Sequence, residues 1–148
     1  MRLVLVADPS LDLSDLASRL REAGAEVSTN SGMDRTSILL CCVSCCDGPM
    51  ADTISTLHAR AGSSAAACGI VLTDAASVAD AELIELVALE TQELLGRVTE
   101  TAEVDIPCLR DDQPDLMDAV RALPDAFPSG VSIQAPRDEP RKPWWKFW

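Results

Sequence analysis

Four of the chain's six cysteines, Cys41, Cys42, Cys45 and Cys46, fall in one short run. Cys42 and Cys45 have the Cys-x-x-Cys spacing of a metal or redox pair, which needs a turn to bring both thiolates to one ion. The surrounding run, residues 38–46, instead has the unbroken apolar character of a buried strand. In a strand, Cys41 and Cys45 face one way and Cys42 and Cys46 the other. The expectation is therefore thiols packed as small hydrophobes, with no metal site. His58, the single histidine, falls in an expected helix and reads as a surface residue.

Carboxylates offer a second chemistry. Asp8, Asp74, Asp111 and Asp112 each follow a segment that reads as a strand. Open α/β sheets place ligands at such carboxyl ends, and an acidic rim there could hold Mg²⁺. Asp80, Glu82, Glu85, Glu90 and Glu93 form a third group. They read as a solvated helix face that could also dock a basic partner.

The last residues, Arg141-Lys142-Pro143-Trp144-Trp145-Lys146-Phe147-Trp148, combine cations with four aromatics. Trp144, Trp145, Lys146, Phe147 and Trp148 form an expected anchor for a partner groove, a weakly held membrane surface or the chain's own acidic body.

The whole chain sets limits on these readings. Its 148 residues suit one core, and 47% hydrophobic content excludes wholesale disorder. From residue 135 onward four basic residues stand against two acidic ones, a balance of +2, so the remainder carries −14 of the net −12. A body so acidic repels phosphate backbones, which argues against nucleic-acid binding through it. No apolar run is long enough to span a bilayer, and the opening residues turn acidic too soon for a secretory signal. A cytoplasmic protein with reduced thiols is expected. Phe127 is the one aromatic before Trp144, so Leu, Val, Ile, Ala and Cys must build the core.

The elements that would position these residues alternate. A buried strand over 2–8 precedes a helix over 10–23, with Leu13, Leu16, Ala17 and Leu20 inward and Gly24 as its stop. A short strand is expected after Glu26, a buried strand over 38–46, a Pro49-initiated helix over 51–61 and a strand over 67–72. Asp80 is placed to cap a long helix that Gly96 would stop, with Leu83, Leu86, Val87 and Leu94 on its apolar face. A strand over 104–109 leads to a last helix bearing Leu116, Met117, Val120 and Leu123, closed by Pro124 and Pro128. The pattern predicts an α/β fold of three layers: a mostly parallel sheet with helices on both faces. Its domain would occupy residues 1–134, with the basic, Trp-rich tail at 135–148.

Between residues 33 and 143 the chain resembles the GTP-binding domain of elongation factor Tu. The residues that carry the resemblance are Asp47-Gly48-Pro49-Met50 with Thr53, then Val78, Asp80, Glu82, Leu83, Glu85, Leu86, Val87, Leu89, Glu90, Glu93, Leu94 and Leu95. Asp105-Ile106-Pro107 and Leu116-Met117-Asp118-Ala119-Val120 follow in register. The resemblance implies a P-loop GTPase-like fold, but every nucleotide contact it would bring is altered. Nothing reads Gly-x-x-x-x-Gly-Lys-Ser/Thr, the loop that cradles phosphates. Asp8-Pro9-Ser10-Leu11 lacks the glycine of Asp-x-x-Gly, and Leu11 stands about where the water-positioning His would be. The guanine-recognition loop aligns with Thr73-Asp74-Ala75-Ala76, where Ala76 replaces the base-binding carboxylate. The base-backing element falls near Asp111-Asp112-Gln113, whose carboxylates would repel a purine carbonyl.

Residues 2–27 are also similar to the opening of a response-regulator receiver, although no lysine precedes Lys142 to serve its chemistry. The sequence thus leads to a non-catalytic pseudo-GTPase interaction module with a protein partner, no cofactor and an aromatic anchor. The alternatives are a residual GTP- or metal-binding enzyme using the strand-end carboxylates, or a leader whose Trp-rich end is a processing substrate.

Overall fold

The computed structural model describes residues 1–7, 11–29, 34–49, 56, 57, 59, 63–100 and 106–134. Five strands form an all-parallel sheet: β1 (Arg2–Val6), β2 (Glu26–Thr29), β3 (Ser37–Ser44), β5 (Ala67–Thr73) and β7 (Cys108–Arg110). Their order is β2-β1-β3-β5-β7. Counting only these strands, the sequence reads 2-1-3-4-5, an order shared by flavodoxin-like folds that reverses between β1 and β3.

β3 and β5 are buried along their whole length, as befits central parallel strands covered on both faces. The helices that cover them are α1 (Ser14–Glu22), α2 (Ala81–Val98) and α3 (Leu116–Ala126). Neighbouring residues along the sheet assign their sides. Gly69 points at α3, where its missing side chain admits Leu123. The next residue, Ile70, pairs with Cys108, whose thiol faces the carbonyl of Ala88 in α2 at 3.9 Å. Successive strand residues face opposite ways, so α2 and α3 lie on opposite faces. Arg121 of α3 donates to the carbonyl of Ala23 just after α1, placing α1 beside α3. The three-layer α/β arrangement expected from the alternation is the one observed.

Local chemistry explains most boundaries. Leu13, Leu16, Ala17 and Leu20 are buried, and Gly24 turns the chain at φ +97°. Asp80 caps α2, its carboxylate accepting from the N–H of Glu82 at 2.9 Å. Thr56 and Leu57 are helical and Leu57 is wholly buried; the rest of the Pro49-initiated helix, with His58, lies outside the described residues.

Four expectations are corrected. The inward face of α2 is Ile84, Val87, Thr91, Leu95 and Val98, whereas Leu83 and Leu86 face solvent and Leu94 is half-buried. Both sets have helical spacing, and the side-on fit against β5 and β7 selects the first. Gly96 does not stop α2; the helix continues to Val98, and Thr99 takes over as its hydroxyl donates to the carbonyl of Leu95. Pro124 lies inside α3 rather than after it, and the short β7 begins at Cys108.

An unanticipated antiparallel sheet joins β4 (Ser64–Ala65), β6 (Thr99–Glu100) and β8 (Val131–Ile133) in the order β4-β8-β6. It holds the chain after α3 against the end of α2. Gly130, at φ +74°, brings β8 so near β4 that a Cβ would stand 3.0 Å from the carbonyl oxygen of Ala65.

Candidate functional site

The carboxyl ends of the parallel strands bring together Ser44 and Cys45 after β3, Thr73 to Ala75 after β5, and Arg110 to Asp112 after β7. The ladder continues past the strands: Cys45 N–H donates to Thr73 O at 3.0 Å and Asp111 N–H to Leu72 O at 3.0 Å. These bonds fix the three loops relative to one another.

Asp74 sits in the left-handed region at φ 57° and opens a short 3₁₀ turn, Ala75–Ser77. Asp111 reaches across from the next loop. Its carboxylate accepts from the Asp74 N–H at 2.9 Å and from the Ala75 N–H at 3.3 Å. The turn after β5 is therefore closed by a carboxylate of this chain's own. Arg19, from α1, steadies the far side by donating to the Asp111 carbonyl at 2.7 Å.

Asp112 turns the other way. It forms a bidentate pair with Arg110 at 2.9 and 2.8 Å, and the guanidinium holds its carboxyl below the usual range. Of the four strand-end carboxylates, Asp111 and Asp112 thus serve separate partners, and Asp8 lies outside the described residues. Among the described residues no three His, Cys, Asp or Glu side chains converge as a metal site would require. Thr73 is buried, and its Oγ1 has no hydrogen-bond partner among the described residues. Ala75 is buried and Ala76 exposed.

The cysteines divide by depth. Cys41, Cys42, Cys45 and Cys68 are buried, Cys108 is half-buried and Cys46 is exposed. Burial pushes the Cys41 thiol up to about 12 and that of Cys108 up to about 11, and raises Cys42 and Cys68 as well. The Cys45 thiol is raised by burial first and by the Asp111 carboxylate second. Thiols held in this state are poor nucleophiles and poor ligands at neutral pH. Cys45 and Cys46 lie beyond the end of β3, in the turn, so strand alternation describes only the first pair.

A groove of about 580 Å³ opens at the other end of the sheet, between Arg35, Ser64, Ala66, Phe127 and Ser129. It touches none of the strand-end groups. The anchor Trp144, Trp145, Lys146, Phe147 and Trp148 lies outside the described residues. Among the described residues no helix is long and apolar enough to cross a membrane.

Fold and strand ends together define a doubly wound α/β protein whose loops are bonded to one another. No model of a known protein family matches the chain, and neither does any curated protein.

Proposed function

We propose that this chain is a non-catalytic interaction module acting in the cytoplasm: a pseudo-GTPase that resembles the GTP-binding domain of elongation factor Tu. The observation that carries the reading is the Asp111 carboxylate on the N–H groups of Asp74 and Ala75. A negative charge fixed there opposes a guanine carbonyl or a phosphate, and Ala76 offers no carboxylate to the base's N–H groups. The bidentate Arg110–Asp112 pair similarly commits a second carboxylate of this rim. Surface remains for binding: the acidic outer face of α2, and the cationic aromatic segment from Arg141 as anchor for a partner protein.

Titration of the intact chain with a fluorescent GTP analogue, with and without Mg²⁺, tests the reading. No saturable binding is expected at micromolar nucleotide. Mg²⁺-dependent micromolar affinity would overturn it.

A further inference from the structure

Three leucines on the outer face of α2 are solvent-exposed: Leu83 by 40%, Leu86 by 52% and Leu89 by 62%. Their i, i+3, i+6 spacing makes one ridge along the helix, separate from the buried stripe that faces the sheet. Glutamates flank it at four-residue offsets: Glu82 beside Leu86, Glu85 beside Leu89, and Glu90 and Glu93 one turn further on. Glu93 pairs with Arg97 at 3.5 Å, while Glu82, Glu85 and Glu90 have no ion pair among the described residues. The ridge is thus apolar with an acidic margin.

We infer that this ridge is the seat of the chain's own segment 141–148. Complementarity is the first argument. That segment supplies four aromatic side chains for the leucines and Arg141, Lys142 and Lys146 for the carboxylates.

Reach is the second. The N–H of Gln134, the last described residue, donates to the carbonyl of Val98 at 2.8 Å, and Ile133 pairs with Thr99. The chain therefore leaves the described body at the very end of the helix that bears the ridge. Along α2, Leu89 lies about 14 Å from Val98 and Leu83 about 22 Å, at 1.5 Å per residue. Residues 135–143, fully extended, reach about 30 Å. Trp144 can meet any point of the ridge by running back along α2. The five residues from Trp144, extended, cover about 16 Å, enough for a leucine ridge about 9 Å long.

The seated segment shields the ridge, and a partner must displace it to take hold of the tryptophans. This role rests on the interaction-module reading, but the seating itself does not.

Every tryptophan lies in 144–148 and the chain has no tyrosine, so tryptophan emission from the intact protein reports on this segment alone. The comparison is the intact chain, the double variant Leu86→Glu/Leu89→Glu, the charge-reversal variant Glu85→Lys/Glu90→Lys, and a peptide of residues 135–148. The intact chain is expected to emit to the blue of the peptide and to resist acrylamide quenching several-fold better, independent of protein concentration. Both variants, which alter exposed positions, should shift to the peptide's spectrum while keeping their helical circular dichroism.

Peptide-like emission from the intact chain would overturn the inference, as would a blue shift that the ridge variants leave in place. Protection that vanishes on dilution would assign the seat to a second copy, and protection gained only with anionic vesicles would assign the segment to a membrane; either also overturns it. GTP binding would defeat the functional reading and leave these spectra unchanged, so the two failures are distinct.

Discussion

The Asp111 carboxylate stands 2.9 Å from the backbone nitrogen of Asp74, joining the loop after β7 to the left-handed turn after β5. Two N–H groups at the start of a 3₁₀ turn would otherwise need another acceptor. Asp111→Ala is expected to cost ~1–2 kcal/mol, as for a charge-assisted bond pair with partial solvent access. Asp111→Asn keeps one acceptor and should lose less. Urea midpoints at pH 7 give the comparison; equal stability of all three proteins would deny the loop its carboxylate latch.

Thr73 next to this turn buries a hydroxyl that has no hydrogen-bond partner among the described residues. Thr73→Val keeps the shape and removes the desolvated oxygen, so a gain of ~1 kcal/mol is expected. Chemical denaturation measures it. A loss of stability would show that the hydroxyl has a use in the folded chain.

Gly69 lets Leu123 approach the sheet: a Cβ would lie 2.9 Å from Leu123 Cδ1 and 3.4 Å from Leu40 Cδ2. Gly69→Val should therefore cost ~1–3 kcal/mol by overpacking. Leu123→Ala opens space and alone should cost ~2–5 kcal/mol. The double variant should lose clearly less than the sum; additivity within ~0.5 kcal/mol would contradict direct contact.

Thiol depth predicts a labelling pattern. Cys46 is the exposed cysteine, whereas Cys41, Cys42 and Cys68 are buried with raised pKa values. An aromatic disulfide reagent at pH 8 should modify one thiol rapidly in native protein and the buried ones only on unfolding. Cys46→Ser should abolish the fast phase. Rapid modification of Cys42 would mean that β3 opens readily.

Asp34 holds the entry to β3. The hydroxyl and N–H of Thr36 lower its carboxyl to about 2, with help from Ser37 and Arg2. A carboxylate depressed in the folded state stabilises fully above its unfolded pKa and loses that effect as pH falls through the folded one. Its contribution should therefore be complete above about pH 4 and fade towards pH 2. Asp34→Asn should flatten that part of the acid-stability curve, followed by circular dichroism against pH. A variant curve parallel to the wild type would remove Asp34 from the acid limb.

The alternation of apolar runs and amphipathic segments made the layered sheet legible, because β1, β3 and β5 are nearly continuous hydrophobic stretches. Caps and stops were legible where one side chain decides them, as at Asp80 and Gly24. The burial of α2 was not. Leu83, Leu86 and Leu94 compete with Ile84, Thr91 and Leu95 at equal spacing, and only the sheet's position selects between them. β4, β6 and β8 are not legible in the sequence because two or three residues give no period to read. At the site, the sequence supplied Asp111 and Thr73 to Ala76, but not their joining. A carboxylate received by backbone N–H groups from another loop leaves no spacing signal.

The parallel sheet ends on one side at β2, whose residues are half-buried or exposed and include Glu26, and on the other at β7, only three residues long. A polar margin and a truncated one both discourage strand addition from a neighbouring molecule. Growth of the sheet from copy to copy into amyloid-like stacks is therefore disfavoured at both of its margins.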